Sequence, residues 1–465
     1  MSEIDPSDVL TASRLDVLGK LPFAKIIAAK SESAWARELY FACLSALNPN
    51  HLFSEDGLKF DLSDYEYHFR NLVASLVKEG FNSDRSHLLV AEDGSLWNGA
   101  HRLAGCLAIQ QKLSVKSVQE PPQVYGWEFF RNSGMHRVYL DELSWQFVQN
   151  VRSVRAMVLS SLQPPEEEMV RNRLQQLNTI VFEKTLHLSE VGSRRNLELM
   201  YGHLPWFSQE LLEKLLLERF GGSGERKVTV FLYDQPAELD ERALKEEMRA
   251  LLADSSFERK IHGSDDWEET LKIAEVWTNA NSLRFMNSAP LGCDQRILDK
   301  LRLDLEYKNS LNSDFVIDAG ASLDLQGLWE THDIDHVCLS DHPSKSLNLG
   351  DCHNAEYSDL GISSMELILD PRKHLRWGGY KFSSLESEFL RLRLLSNPKA
   401  RAQLRTVLPA LEKQEGEIYF DADRSARAAK WQRKSRLQIR LDLFLGNLPP
   451  EIRRTIARLA ATFRR

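Results

Sequence analysis

The sequence predicts a multidomain protein of the mixed α/β (α+β) class. Apolar runs of strand length at residues 87–91 and 228–233 are each followed by a segment with helical spacing, and residues 315–322 predict a strand that runs into a small-residue turn. A chain of 465 residues is long enough for two or three domains, each with its own hydrophobic core. We expect an N-terminal domain, a helical and small α/β middle region, a mixed-sheet domain and a basic helical tail, at residues 1–162, 163–300, 301–400 and 401–465.

Composition and charge restrict the function classes. The formal net charge of −8 argues against general nucleic-acid binding by the whole chain. No run approaches the roughly 18 apolar residues that a membrane-spanning helix needs, so any membrane contact is expected to be peripheral. The five cysteines are scattered and never form a C-x-x-C pair. This pattern predicts reduced thiols in a cytoplasmic protein, with neither a zinc site nor a disulfide framework.

The first elements of the N-terminal domain are a helix and a hairpin. Residues 33–47 have helical spacing and stop at Asn48 and Pro49, a clear helix end. Residues 51–60 predict a hairpin around the Asp-Gly pair at positions 56 and 57. Both elements precede the stretch with the strongest functional signal.

That stretch is residues 93–102 (Asp-Gly-Ser-Leu-Trp-Asn-Gly-Ala-His-Arg), which follow a short strand and precede a helix-forming run. A helix beginning near Gly99 would direct its backbone N–H groups, the positive end of its dipole and the side chains of His101 and Arg102 toward one point. This arrangement predicts an anion site, most naturally for nucleotide phosphates. The alternative is a β-turn with a buried histidine. The predicted contacts are Asp93, Asn98, Gly99, Ala100, His101 and Arg102.

The Gly-x-His-Arg turn at residues 99–102 and the upstream helical element at residues 69–80 resemble the ParB/sulfiredoxin superfamily over roughly residues 31–120. Some members of that superfamily bind and hydrolyse CTP, and others use the same turn in ATP- or ADP-dependent phosphoryl transfer. The resemblance implies a nucleotide-binding N-terminal module that takes ATP or CTP together with Mg²⁺.

Two residues of the predicted hairpin are candidates for catalysis. Phosphoryl transfer needs a carboxylate that accepts the hydroxyl proton or holds magnesium, and cations that offset charge on the transferred group. If the fold is ParB-like, the hairpin brings Glu55 and Lys59 near the phosphate turn. His101 and Arg102 would then hold the donor phosphates. The alternative is that Glu55 and Lys59 are surface charges of the hairpin.

The middle region predicts a small α/β unit, with strands at residues 228–233 and 259–262 that are each followed by a helix. Lys260, His262 and Asp265 fall where the second strand gives way to a helix, which is a usual place for ligands. They are candidates for a second phosphate or sugar site. Helix capping and solvated charge are the alternative.

The third domain carries another recognisable pattern. Residues 315–322 (Phe-Val-Ile-Asp-Ala-Gly-Ala-Ser) form a strand that runs into a small-residue turn, and Asp333-Ile-Asp335 follows. This spacing resembles the nucleotidyltransferase fold, in which a Gly-Ser turn holds the triphosphate and two aspartates on the next strand bind magnesium. The resemblance implies that Ser322 contacts phosphate and that Asp333 and Asp335 hold Mg²⁺.

The strand geometry supports that metal site, because alternate residues of a strand face the same side and can share an ion. The third carboxylate is expected from Asp370, with Glu366 as the alternative, and Lys381 is a candidate phosphate contact. The sequence departs from the family pattern at Ala321, where glycine is expected. The domain could therefore bind a nucleotide or sugar phosphate without transfer, or keep the fold alone.

The C-terminal tail is basic. Residues 401–465 hold 15 Lys and Arg against 7 Asp and Glu, so this end is positive although the whole chain is negative. Residues 424–440 predict a basic helical stripe, and residues 451–463 predict a second basic amphipathic helix. These helices would make peripheral contact with an anionic membrane surface or pack on an acidic neighbouring domain.

Together these patterns predict a nucleotide-dependent phosphotransferase (kinase-like) that acts on a small hydroxyl compound such as a sugar or polyol, in surface polysaccharide synthesis. Two alternatives remain open at this point. One is a nucleotide-gated, ParB-like binding or switch protein. The other is a nucleotidyltransferase that uses the Asp333 and Asp335 module.

Overall fold

The computed structural model describes residues 3–48, 61–83, 87–221, 226–236, 239–252, 260–302, 315–339, 351–359, 361–395 and 397–415. Glu55, Lys59 and the basic segments at residues 424–440 and 451–463 lie outside these ranges. The chain divides into two compact units, one within Met1–Leu143 and one within Ser144–Phe420. Each unit contains helices and a sheet, so the predicted mixed α/β class is confirmed. Across the described ranges, no helix combines the length and apolar character needed to span a membrane.

The first unit builds helices around a four-stranded mixed sheet. The strands are β1 (Glu3–Ile4), β2 (Leu88–Val90), β3 (Leu96–Asn98) and β4 (Leu113–Ser117). Their order is β1-β4-β2-β3, with β2 parallel to β4 and antiparallel to β3. The helices of this unit are α1 (Leu21–Ala28), α2 (Ala34–Leu47), α3 (Leu62–Glu79), α4 (Ala100–Ala108) and α5 (Trp127–Asn132), and α6 (Arg137–Asn150) begins in this unit and ends in the second.

Local capping signals start two of these helices. The Ser33 hydroxyl accepts a hydrogen bond from the Ala36 N–H at 3.2 Å, and α2 then runs to Leu47. The Asp61 carboxylate accepts the N–H of Asp64 at 2.9 Å at the start of α3. Such caps satisfy donors that the first helical turn leaves without partners. The predicted helix at residues 33–47 is confirmed.

Close packing of α4 on α3 positions the start of α4. A Cβ at Gly105 would lie 2.6 Å from Leu76 Cδ1 of α3, so glycine is needed for this approach. Leu103 and Cys106 of α4 are fully buried. Because protein interiors are close-packed, α4 cannot shift without disturbing these contacts.

A buried ion cluster ties the N-terminal segment to strand β3. Arg14, Asp16 and Lys20 are each no more than 3% exposed. The Asp16 carboxylate accepts hydrogen bonds from Arg14 Nε at 2.8 Å and from Lys20 Nζ at 3.0 Å. Arg14 also donates to the carbonyl oxygen of Leu96 in β3. Burial acts to raise the pKa of Asp16, but the charges of Lys20 and Arg14 outweigh burial and lower it. The carboxylate is therefore ionised at neutral pH.

The second unit contains two four-stranded sheets. The first is antiparallel, has the order β6-β7-β5-β8 and is formed by β5 (Val154–Ser160), β6 (Thr179–His187), β7 (Lys227–Asp234) and β8 (Ile261–Gly263). The second has the order β10-β9-β12-β11 and is formed by β9 (Phe315–Ile317), β10 (His336–Cys338), β11 (His374–Trp377) and β12 (Tyr380–Ser383). In the second sheet β9 is antiparallel to β10 and parallel to β12.

The described helices of the second unit are, in chain order, α7 (Pro164–Leu177), α8 (Glu190–Tyr201), α9 (Gln209–Phe220), α10 (Glu241–Ala250), α11 (Trp267–Trp277), α12 (Ala280–Ser288), α13 (Cys293–Arg302), α14 (Ala319–Leu325), α15 (Asn354–Asp359), α16 (Ser364–Leu369), α17 (Leu385–Leu394) and α18 (Pro398–Glu415).

Residues 141–162 have helix-like sequence and predict a helix over that range, but residues 154–160 form strand β5 instead. Helix α6 ends at Asn150, and β5 pairs with β7 on one side and β8 on the other. Val154, Met157 and Val158 of β5 are fully buried. A short apolar run can form a buried strand or a buried helix, and here pairing on both sides selects the strand. Strand β5 therefore belongs to the second unit, although the sequence placed it in the domain at residues 1–162.

Candidate functional site

The predicted anion site forms where strand β3 gives way to helix α4. Gly99 connects the two elements with a φ of +108°, and α4 begins at Ala100. A Cβ at Gly99 would lie 2.4 Å from Leu88 Cδ2 and 3.2 Å from a terminal guanidinium nitrogen of Arg102. Glycine satisfies both the backbone angle and the close approach. The predicted glycine turn and helix start are confirmed, and the predicted strand at residues 87–91 forms β2; the strand that leads directly into Gly99 is β3, which the sequence did not predict.

Gly99→Ala is expected to lower the free energy of unfolding of this region by about 1–3 kcal/mol, because the new methyl group clashes with Leu88 at a strained backbone angle. Gly94→Ala is the matched control, since Gly94 has a φ of +79° and no described heavy atom within 4 Å of its Cβ position. Amide hydrogen exchange of residues 96–108 should accelerate more in Gly99→Ala than in Gly94→Ala. Equal acceleration in the two variants would show that the close approach of Gly99 to Leu88 does not contribute to the stability of this region.

His101 is held by aromatic neighbours and a tyrosine hydroxyl. Its Nε2 lies 3.0 Å from the Tyr40 hydroxyl, which also lies 3.2 Å from the carbonyl oxygen of Tyr65. A carbonyl oxygen only accepts, so the Tyr40 hydroxyl donates to Tyr65 and accepts from the Nε2–H of His101. Burial and the Glu66 charge raise the pKa of Tyr40 well above its ordinary value, which keeps that hydroxyl protonated. The half-buried imidazole ring of His101 also makes an edge-to-face contact with Phe69, at a centroid distance of 4.8 Å. These contacts give the ring a defined orientation.

Arg102 lies across the glycine turn. One guanidinium nitrogen donates to the carbonyl oxygen of His87 at 2.8 Å, and the guanidinium packs close to Gly99. Burial lowers the pKa of Arg102, but an arginine side chain stays charged in a protein. The structure therefore places a fixed positive charge in the first turn of α4, where the helix dipole also favours an anion.

The other predicted contacts of this turn divide into two groups. Asn98 is exposed and Ala100 is half-buried, and both flank Gly99 directly. Asp93 instead closes the hairpin between β2 and β3, where its carboxylate accepts the N–H of Ser95 at 2.9 Å. Strand β3 separates Asp93 from Gly99 by about 10 Å of extended chain. Asp93 is thus a turn residue at the opposite end of the strand, which corrects its prediction as a phosphate contact.

In the second unit, the predicted phosphate contacts bind backbone carbonyls instead. The predicted triphosphate turn is helix α14, in which Ser322 is fully buried and donates its hydroxyl to the carbonyl oxygen of Ser383 at 2.6 Å. Lys381 Nζ donates to the carbonyl oxygen of Ile368 at 3.0 Å. Both side chains are used to hold elements of this unit together.

The described structure does not bring the three predicted Mg²⁺ ligands together. Asp333 and Asp335 lie in the loop before β10, so the alternation of side chains along a strand does not align them. Asp370 is 1% exposed and lies 2.8 Å from the Arg372 guanidinium. Within the described ranges, three other potential metal ligands do lie close together. One ligand atom each of His336, Cys338 and Cys352 lies within 4.8 Å of the other two.

Two of the predicted ligand residues of the middle region, His262 and Asp265, contact neighbouring charged residues of the protein. His262 is buried in β8, and its Nε2 lies 2.9 Å from Glu269 Oε1. The Asp265 carboxylate accepts from Lys245 Nζ at 2.7 Å. The predicted order of strand, helix, strand and helix is confirmed as β7, α10, β8 and α11, although β5 lies between β7 and β8 in the sheet. Because His262 and Asp265 bind neighbouring side chains, the structure does not support the second phosphate or sugar site expected at Lys260, His262 and Asp265.

A buried acid–imidazole pair lies next to the Asp-x-Asp loop. Asp318 follows β9, is fully buried, and has a carboxylate oxygen 3.1 Å from His353 Nδ1. Its N–H donates to the carbonyl oxygen of Asp335 at 3.0 Å. Burial raises the pKa of Asp318 to about 6, against the opposing hydrogen bond from His353. Burial acts to lower the pKa of His353, but the hydrogen bond and charge of Asp318 raise it to about 9. At neutral pH the pair is a carboxylate and an imidazolium.

Glu388 of α17 organises the same region. Its Oε1 accepts hydrogen bonds from the Ala319 N–H at 2.9 Å, from the Tyr357 hydroxyl at 3.2 Å and from the Ser383 hydroxyl. Its Oε2 accepts from Arg391 Nε at 3.0 Å. Ala319 has a φ of +52°, a conformation that alanine rarely adopts. The buried carboxylate accepts the N–H that this backbone conformation presents, which helps to stabilise it.

Sequence reasoning missed His353, Tyr357, Glu388 and Arg391. His353 and Glu388 lie 35 and 70 positions after Asp318, on segments without a motif. One signal could have found two of them. Glu388 and Arg391 are three positions apart, with Leu385 and Leu392 close by, and charged residues buried among apolar ones need partners. Together with Asp318, these residues form a buried polar network that can hold a proton in a defined place.

Comparisons with protein-family models, with curated proteins and with solved structures found no match to this chain. The described structure combines a mixed α/β fold with a glycine turn and an arginine at the start of α4 in its first unit and a buried acid–imidazole network in its second. The functional interpretation therefore rests on these residues and their geometry.

Proposed function

We propose that the protein is a nucleotide-dependent phosphotransferase of the kinase type. In this proposal the first unit binds ATP or CTP with Mg²⁺, and the acceptor is a small hydroxyl compound such as a sugar or polyol, with surface polysaccharide synthesis as the expected process. The observation that carries the proposal is the coincidence of the Gly99 turn, the start of α4 and the Arg102 guanidinium. The likeness of residues 99–102 to the ParB/sulfiredoxin turn supports the same class of ligand.

The electrostatics of this turn favour a phosphate. Backbone N–H groups at a helix N-terminus, together with the helix dipole, attract an anion, and the missing Cβ at Gly99 allows a close backbone approach. Arg102 adds a planar donor that matches the oxygens of a phosphate. The hydrogen bond from His101 to Tyr40 fixes the orientation of the imidazole beside this position.

Transfer also needs groups that act on the acceptor. The proposal assigns this part to the segment before α3, with Glu55 as the carboxylate that assists the acceptor hydroxyl and Lys59 as the cation that offsets charge on the phosphoryl group. These two assignments rest on the sequence. Glu55→Gln tests the role of Glu55, and we expect this variant to bind nucleotide but to lose transfer.

The assay uses the full chain with Mg²⁺, ATP or CTP labelled at the α or γ phosphate, and a panel of sugars and polyols. Label that moves from the γ position to an acceptor supports the phosphotransferase. Label that moves from the α position overturns it in favour of a nucleotidyltransferase. Nucleotide binding without transfer to any acceptor overturns it in favour of a nucleotide-gated switch.

Arg102→Ala should weaken nucleotide binding roughly 10- to 100-fold, because a charge-assisted hydrogen bond contributes about 1.5–3 kcal/mol. Arg131→Ala is the matched control, since Arg131 lies on α5, where it pairs with Glu128 and packs over Trp127. Isothermal titration calorimetry with ATP and CTP measures both variants, and circular dichroism checks that they fold. If Arg102→Ala binds as tightly as Arg131→Ala, the nucleotide is not held at this turn.

A further inference from the structure

We propose that His336, Cys338 and Cys352 form a binding site for a thiophilic divalent cation such as Zn²⁺. One ligand atom from each residue lies within 4.8 Å of the other two. The absence of a C-x-x-C pair predicted that the chain has no zinc site. The fold instead brings together ligands from two separate segments, His336 and Cys338 on β10 and Cys352 beyond it. This site lies in the second unit and is independent of the nucleotide proposal.

The backbone explains why these three side chains converge. His336 and Cys338 are the first and third residues of β10, and alternate residues of a strand face the same side. Cys352 pairs with His336 through an isolated parallel β-bridge. The bridge is closed by the His336 N–H, which donates to Asp351, and by the His353 N–H, which donates to the carbonyl oxygen of His336. Cys352 is therefore held beside the strand that carries the other two ligands.

The sulfur geometry suits a tetrahedral metal. The Sγ atoms of Cys338 and Cys352 are 3.8 Å apart. Tetrahedral bonds of about 2.3 Å from zinc to sulfur would place two thiolates about 3.8 Å apart. A disulfide would bring the sulfurs to about 2.0 Å, so the two thiols are not joined. Two thiolates and one imidazole form a soft donor set, which binds zinc in preference to hard cations such as Mg²⁺ and Ca²⁺.

Neighbouring groups hold the ligands in place. Asn354, the first residue of α15, accepts the Cys338 N–H at 3.2 Å through Oδ1 and donates through Nδ2 to the Cys338 carbonyl at 3.0 Å. The ring of His336 packs against Phe315 at a centroid distance of 5.1 Å. Ligands that are supported by such contacts need little rearrangement to receive an ion.

The burial pattern shows from which side an ion would enter. His336 and Cys338 are 2% and 5% exposed, whereas Cys352 is exposed. A site with three protein ligands leaves a fourth position on the metal, which solvent or a substrate fills in catalytic zinc sites. Here Cys352 is the exposed ligand, so solvent reaches the proposed site at this residue. Because His353 follows Cys352, a bound ion would also restrain the residue that pairs with Asp318.

The test measures metal binding by the reduced full-length protein. Apo protein is titrated with Co²⁺, and Zn²⁺ is measured by mass spectrometry after loading and dialysis. We expect about one Zn²⁺ per chain and a cobalt spectrum with thiolate charge-transfer bands and the intense visible bands of a tetrahedral site. Cys352→Ser, a change at an exposed position, should lose the charge-transfer intensity of one thiolate and most of the retained zinc.

Cys293→Ser is the matched control, because Cys293 belongs to the same unit and its thiol donates to the carbonyl oxygen of Leu325 instead. This variant should keep both the zinc and the cobalt spectrum. The proposal is overturned if wild-type protein retains no zinc, if Cys352→Ser retains as much as Cys293→Ser, or if the cobalt spectrum lacks thiolate bands. A disulfide between Cys338 and Cys352 that persists in the reduced preparation would also overturn it.

Discussion

Glu388→Gln is expected to lower the free energy of unfolding of the second unit by about 3–5 kcal/mol, the range for breaking one side of a buried ion pair. Glu388 is fully buried and Arg391 is 4% exposed. The amide NH₂ group would face the Arg391 guanidinium, so two donors would meet where a carboxylate now accepts. Glutamine also accepts more weakly from the Ala319 N–H, which weakens support for the left-handed conformation at Ala319.

Amide hydrogen exchange of residues 319–325 and 385–394 measures this effect locally, without requiring that the two units unfold together. Glu386→Gln is the matched control on the same helix, because the Glu386 side chain is 58% exposed and lies 3.6 Å from Arg284. That change should alter stability by no more than about 0.5 kcal/mol. Similar exchange rates in the two variants would contradict the role assigned to Glu388.

Asp16→Asn is expected to destabilise the first unit by a similar amount, about 3–5 kcal/mol. The change removes the charge that Arg14 and Lys20 share, and it leaves two cations at positions that are no more than 3% exposed. Because Arg14 also holds the Leu96 carbonyl, the change should loosen strand β3, which leads into the Gly99 turn.

The Cys43 thiol provides a measurement of this opening. Cys43 is fully buried against Gly19, where a Cβ would lie 2.1 Å from its sulfur, and burial raises its pKa to about 12. A thiol reagent therefore labels Cys43 when the unit opens. Asp16→Asn should accelerate labelling of the Cys43 peptide by roughly 150- to 5000-fold, as about 3–5 kcal/mol implies. Asp8→Asn, at an exposed position in the same segment, should leave the labelling rate near that of the wild type.

Local signals in the sequence were sufficient where the chain determines its own conformation. The glycine before the Ala-His-Arg run predicted the turn into α4, and the helical spacing of residues 33–47 with its stop at Asn48 and Pro49 predicted α2. These predictions succeed because a left-handed backbone angle and a helix end before proline depend on residues close together in sequence.

Predictions failed where partners come from elsewhere in the chain. Strand β5 was predicted as a helix because nothing within residues 154–160 reveals β7 and β8 on either side. Asp333 and Asp335 have the right spacing for a metal site, but the strand begins only at His336. Spacing alone does not show where a strand starts, since pairing with β9 sets that limit.

The sequence by itself determined the mixed α/β class, the Gly99 turn and the placement of His101 and Arg102 at the start of a helix. Only the tertiary structure decided that Asp318 pairs with His353, that Glu388 is buried with Arg391, and that two distant cysteines meet one histidine. The reason is physical. Backbone angles and caps are local energies, whereas the pairing of buried charges and thiols depends on which distant segments pack together, and that is set by the whole chain.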